Sequence, residues 1–186
     1  MALELEAIQG NQEDNMGGIT AIIFYALWDD IMSFPKLPKF ADITKLAGAN
    51  ILTGIPVMKD KKQFWPLEVT LDKGSLEDDG QGETGGMSHK HQLKFNVDSM
   101  DATIQGFMRV SNNAKMTFIV PDLDTGLYRA LGMSSWRWAK KTATKGTTGE
   151  GSAGKKGAEF TFTSAGSGPC PSLKLTDAEL QELIAA

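Results

Sequence analysis

Residues 91–97, HQLKFNV, narrow the possible folds more than any other stretch. His91, Leu93, Phe95 and Val97 point one way and Gln92, Lys94 and Asn96 the other, the period of a half-buried β-strand. Asp98 or Ser99 offers a side-chain oxygen to cap a helix. Met100, Ile104, Phe107 and Met108 then fall near helical spacing and make one apolar stripe. Asn112 and Asn113 suit the stop. Residues 115–120 (KMTFIV) read as a strand, residues 121–126 as a turn in which Gly126 can take positive φ, and residues 127–131 as a returning strand. A helix is thus inserted among strands of a β domain, with no catalytic group standing out.

The 186 residues predict one domain, spanning 1–186, with projecting arms. A chain of this length can bury about 70% of its unfolded surface, so its core needs no staple. The formal charge of −4 and pI near 5.2 argue against an electrostatic grip on nucleic-acid phosphates. Cys170 is the single cysteine, so no intramolecular disulfide forms. Between Pro169 and Pro171, with no base nearby in sequence, it reads as an incidental thiol. The acidic N-terminus lacks the apolar run of a signal peptide. No stretch approaches the ~18 apolar residues of a membrane span.

Residues 19–28 (ITAIIFYALW) form the most apolar run and favour a strand buried on both faces, with a ten-residue helix as the alternative. Pro35 and Pro38 make residues 29–39 an extended connection, pinned by Phe34, Leu37 and Phe40. Residues 41–50 read as a helical turn or loop. Residues 50–58 and 63–71 read as strands displaced towards edges or bulges by Pro56 and Pro66. Residues 72–86 are polar, acidic and Gly-rich, and read as a mobile loop at the tip of a long hairpin arm. Removing residues 75–85 is therefore expected to leave a folded monomer but to block polymerisation. Trp136 and Trp138 are placed on one face of a strand. Residues 140–157 read as a second polar loop, this one basic. Residues 158–164 alternate Phe160 and Phe162 against polar neighbours as a strand. Thr176 and Glu179 make a capping box for a short C-terminal helix, with Leu180 and Ile184 on its apolar face. Phe95, Phe107, Phe118, Phe160 and Phe162 are the expected core.

Near-matches to chemical motifs fail on detail. Residues 149–156 approach a phosphate loop but end in Lys156 where a hydroxyl should hold Mg²⁺, and a polar loop, not a strand, precedes. Asp122-Leu123-Asp124-Thr125-Gly126 begins like a calcium loop, yet Met133 stands where its bidentate acid belongs. His89 and His91 share a strand face but show no third ligand. No metal, cofactor or catalytic set is expected. The one suggestive pattern is charge segregation. Asp72, Glu77, Asp78, Asp79 and Glu83 cluster in one arm; Lys140, Lys141, Lys145, Lys155 and Lys156 cluster in the other. An acidic arm meeting the basic loop of a neighbour would fix register in a head-to-tail ring.

From about residue 63 to 171 the order of these pieces resembles the tail-tube (major tail) proteins of tailed bacteriophages, in the form found in phages of Bacteroidetes-type hosts. The strand at 91–97 leads into the helix at 99–110. A strand, an Asp-containing tight turn and Leu-Tyr-Arg-Ala-Leu-Gly (residues 127–132) follow. The polar Thr/Gly loop at 142–157 comes next, and a Phe-x-Phe strand ends at Pro169. The first 60 residues have no place in that pattern. The resemblance implies a β-barrel or β-sandwich with one flanking helix, forming hexameric rings stacked into a tube. It implies a hairpin, here residues 67–91, reaching a neighbouring subunit. It also implies a lumen that passes genomic DNA without specific binding, negative charge keeping the DNA from sticking.

The expectation is therefore a non-enzymatic structural protein of the virion tail. It would be assembled in the host cytoplasm with other phage tail proteins and without a membrane. Rival readings are a tail terminator, neck or head-decoration protein, or a ligand- or carbohydrate-binding β-sandwich with Trp136 and Trp138 as a stacking platform.

Overall fold

In the computed structural model, residues 18–83, 86–122, 126–150 and 154–185 are described. The strands are, in chain order, Ile22–Leu27 (β1), Ile31–Ser33 (β2), Ile51–Leu52 (β3), Val57–Met58 (β4), Trp65–Glu68 (β5) and Ser75–Gln81 (β6). Ser88–Val97 (β7), Met116–Pro121 (β8), Tyr128–Leu131 (β9), Lys140–Thr147 (β10), Gly157–Gly166 (β11) and Ser172–Leu173 (β12) complete them. Ala102–Val110 (α1) and Asp177–Ile184 (α2) are the α-helices. The protein is mainly β, a sandwich with few helices.

Six strands form one sheet in the order β3-β12-β9-β8-β1-β5, and four form a second in the order β10-β11-β7-β6. The apolar run of β1 lies inside the first sheet, paired antiparallel with β5 and β8. Both its faces are covered: Ile23 and Tyr25 join one core, Phe24 and Ala26 the other. That double burial explains why β1 reads as a continuous apolar run rather than an alternation. The strand alternative for residues 19–28 is the one adopted.

The first core lies between the two sheets. Phe118 of β8 meets Phe162 of β11 with ring centroids 4.7 Å apart, and Phe95 of β7 lies 5.2 Å from Phe160. Phe107 on α1 stands edge-on to Phe160 at 5.3 Å and to Tyr25 at 5.2 Å. The helix thereby bridges β11 and β1. The second core lies on the far face of the six-stranded sheet, where Leu183 of α2 packs with Phe64, Ile119 and Leu173. The N–H of Phe64 donates to the Leu183 carbonyl at 2.8 Å. Both halves of the Thr176–Glu179 capping box form.

The sandwich is drawn together at two corners. Met116 of β8 pairs with Ala139, directly before β10. After β5, Val69 N–H donates to Ala21 and Thr70 N–H to Asn96 at the end of β7. Gly132 is required at the first corner: φ is +79°, and a Cβ there would lie 2.5 Å from the Met116 carbonyl oxygen.

Several expectations shift. The cap of α1 is Asp101, whose Oδ1 accepts from Ile104 N–H at 2.8 Å, while Ser99 Oγ accepts from Asp101 N–H. The expected strand at 50–58 splits into β3 and β4 in different sheets, with Gly54 at φ +106° between them. Pro66 does sit on an edge strand, since β5 ends its sheet. Phe34 and Leu37 pack on the second core, but Phe40 is 80% exposed and pins nothing. Trp136 lies in a turn and Trp138 in the connection before β10, neither of them on a strand. The acidic stretch 72–86 and the basic stretch 140–157 each contain a strand where a loop was expected. β6 runs through the first and pairs with β7; β10 runs through the second and pairs with β11. Leu76 of β6 packs against the first core, so removing residues 75–85 would uncover that core instead of sparing it.

Replacing Phe118 by Ala is expected to cost about 3–5 kcal/mol in denaturant unfolding, with most aromatic contacts across the sheets lost. Asp101→Ala should cost about 1 kcal/mol, whereas Asp98→Ala at an exposed position should stay within about 0.5 kcal/mol. Equal costs at the two aspartates would contradict the capping assignment.

Candidate functional site

The four-stranded sheet gathers most of the charged residues singled out in the sequence. Every ladder in it is antiparallel, and among the described residues β6 and β10 are its terminal strands, each paired with a strand on one side only. Two antiparallel steps separate β11 from β6, and one more reaches β10. The two open edges therefore run antiparallel to each other.

Alternation assigns each side chain to a face. Phe95 and Phe162 point into the core, so Lys90, Lys94, Glu159 and Thr163 point away from it. Glu77 and Asp79 of β6 stand opposite Gln92 and Lys90 and share the outward face. Lys140 and Lys145 of β10 stand opposite Thr163 and Glu159 and share it too. The remaining outward positions are Ser, Thr, Gln, Asn and Ala, so this face carries no large apolar side chain. It has an acidic edge, a basic edge and both signs between.

The ten predicted contact residues fall into groups. Glu77, Asp79, Lys140 and Lys145 are brought to the outward face, at opposite edges. Asp78 and Lys141 turn inward. Lys141 donates to the Met108 carbonyl at the C-terminal part of α1, and its burial there lowers its pKa. Asp72 precedes β6 in a turn with φ +58°, and Glu83 follows it, exposed, near the hairpin tip. Lys155 and Lys156 border a cleft of about 200 Å³ with Lys73 and Lys145 at the end of the sheet. Glu77 already has a partner in its own chain: both its carboxylate oxygens lie 3.0 Å from Lys94 Nζ. That bond, aided by Ser75 Oγ, holds the Glu77 carboxyl below its ordinary value.

The two tryptophans of the rival ligand-binding reading stand in different surroundings. Trp136 is 88% exposed, while Trp138 is half-buried with the ammonium groups of Lys115 and Lys140 at 5.0 and 5.4 Å from its ring centre. The near phosphate loop at 149–156 joins β10 to β11. A strand precedes it after all, but a strand rather than a helix follows. Its residues 151–153 lie outside the described set. In the calcium-like turn, of which residues 123–125 also lie outside, the Asp122 carboxylate bonds Arg129 at 3.1 Å.

One cluster was not legible in the sequence. His91 had no visible third ligand, yet the fold sets Asp78 and Cys170 beside it. One ligating atom from each of the three lies within 4.8 Å of the others. Residues 78, 91 and 170 come from β6, β7 and the segment before β12. The cross-strand pairing of Asp78 with His91 is a matter of register, which sequence alone does not specify. Hydrogen bonds hold the group. His91 Nε2 lies 2.9 Å from the Gly168 carbonyl, Cys170 N–H donates to Asp78 Oδ1 at 3.0 Å, and Cys170 Sγ lies 3.3 Å from the Ala130 carbonyl oxygen. Burial, then the Asp78 charge, push the Cys170 thiol pKa up, Arg129 opposing. Such a thiol is no nucleophile at neutral pH.

No helix among the described residues is long and apolar enough to cross a membrane. Compared with family models, curated proteins and solved structures, the chain matches none of them.

Glu77 is ionised more readily in the fold than alone, so its pair with Lys94 contributes stability above the ordinary glutamate range. That contribution fades as pH falls through the lowered folded value. Lys94→Met should therefore raise the Glu77 midpoint towards its ordinary value in an NMR titration of the carboxyl carbon. An unmoved midpoint would mean that the pair does not form in solution.

Proposed function

We propose that this chain is a structural subunit that assembles with copies of itself, in the manner of a phage tail tube, into stacked rings around a conduit for DNA. The observation that carries the reading is the four-stranded sheet with two open edges of opposite charge. An edge strand is a template for another strand. Here β6 of one copy and β10 of the next would meet antiparallel, like every other ladder in the sheet. Glu77 and Asp79 would then lie across the joint from Lys140 and Lys145. The pairing is heterologous, so repeated rotation closes a ring. Complementary edges also select head-to-tail contacts over like-to-like ones.

The outward face would become the wall of the conduit. Its mixture of Glu77, Asp79 and Glu159 with Lys90, Lys94, Lys140 and Lys145 gives no uniformly basic track for phosphates. Such a wall would carry both signs and not the negative charge that the resemblance implies. A tail terminator, neck or head-decoration subunit would use the same edges to close one ring without stacking. A different reading has one observation in its favour: β10 carries a bulge between Lys141 and Ala143. Bulges and charges on edge strands also serve to keep sheets from pairing.

Two charge-reversal variants separate these readings. Glu77→Lys with Asp79→Lys makes both edges basic; Lys140→Glu with Lys145→Glu makes both acidic. Each alone should stay monomeric by analytical ultracentrifugation, with an unchanged circular dichroism spectrum. Mixed one to one, they should assemble, because basic and acidic copies can alternate around the ring. Wild-type assembly by either variant alone, or no rescue on mixing, would overturn edge pairing.

A further inference from the structure

We propose that Asp78, His91 and Cys170 bind one divalent cation of the zinc class between β6, β7 and the segment leading into β12. A thiol, an imidazole and a carboxylate are the donor types that zinc takes. Their ligating atoms lie within 4.8 Å of one another. In a tetrahedral site with ordinary bond lengths, ligand atoms are about 3.3–3.8 Å apart. His91 Nε2 and Asp78 Oδ1, at 3.9 Å, are already close to that spacing, so the site needs a modest contraction and no rebuilding.

Burial divides the roles. His91 and Cys170 are 1% and 0% exposed, and both come from backbone fixed by pairing or by flanking prolines. Asp78 lies on the terminal strand with its side chain 29% exposed, giving a cation a way in. A fourth position is at hand: the Gly168 carbonyl oxygen lies 2.9 Å from His91 Nε2, and water can reach the Asp78 side. Binding exchanges bonds and gives up the Cys170 Sγ–H bond to the Ala130 carbonyl. The metal takes the place of the Nε2–H bond to Gly168 as the ring proton moves to Nδ1. It takes the place of the Cys170 Sγ proton, which leaves to solvent. Asp78 Oδ1 can ligate through one lone pair and keep the Cys170 N–H on the other. The cation would then tie the terminal β6–β7 hairpin to the segment after β11. This site does not depend on edge pairing between copies.

Cobalt(II) added to the reduced full-length protein tests it. A thiolate–cobalt charge-transfer band in the near ultraviolet can come only from Cys170, the single cysteine. The expected result is a band saturating at one equivalent and bleached by zinc. Asp78→Asn and His91→Gln should each weaken binding about tenfold or more, and zinc should raise the melting temperature of the wild type but not of Asp78→Asn. If His91→Gln fails to fold by circular dichroism, Asp78→Asn decides alone, since its side chain is at the exposed edge. No band in the folded, reduced wild type, or unchanged affinity in a folded variant, overturns the site and leaves a hydrogen-bonded knot.

Discussion

The aromatic cluster between the sheets is the contact on which the rest of the structure depends. Phe118 belongs to one sheet, Phe95, Phe160 and Phe162 to the other, and Phe107 to the helix. Each pair adds about 0.5–1.5 kcal/mol beyond the area that it buries. These rings hold the four-stranded sheet by its inner face alone. Among the described residues, no strand pairs with the outer side of either terminal strand. The polar outward face is thus a consequence of packing as much as of composition: alternation delivers one apolar side to the core and one polar side to water.

The helix α1 follows from the same arrangement. Its Phe107 fills the space between Tyr25 and Phe160, while Met100 and Met108 approach Gly146 of β10. Side chains Lys141 and Thr144 of β10 are thereby turned under or beside the helix. The basic edge is backed by packed structure rather than hanging free. The acidic edge is backed on its inner side by Leu76 and by the Asp78–His91–Cys170 cluster. Both edges are therefore held in place by side chains that do not face outward, which would lower the ordering cost of the proposed pairing with a neighbour.

The elements with strong local periodicity were legible in advance. Alternation placed His91, Leu93, Phe95 and Val97, and likewise Phe160 and Phe162, on the buried side, and the Thr176–Glu179 box marked the start of α2. The charge-bearing strands were not legible as strands. Residues 75–81 (SLEDDGQ) and 140–147 (KKTATKGT) have weak β propensity and little apolar alternation. They are strands because β7 and β11 offer them edges, a tertiary effect that overrides local preference. The cap of α1 was missed by two or three residues because Asp98, Ser99 and Asp101 all have the right chemistry and only backbone geometry decides among them. The meeting of Asp78, His91 and Cys170 depends on register and on the path before β12, so nothing in the spacing could announce it.

Electron microscopy of the purified wild-type protein across a concentration series, with hydrogen exchange on the same samples, tests most directly whether the four-stranded sheet continues from one copy into the next. Pairing of β6 with β10 between copies predicts six-fold rings or hollow tubes, with slowed exchange at backbone amides of β6 and β10 as they appear. Single-chain particles at every concentration, with those edge amides exchanging freely throughout, would contradict it.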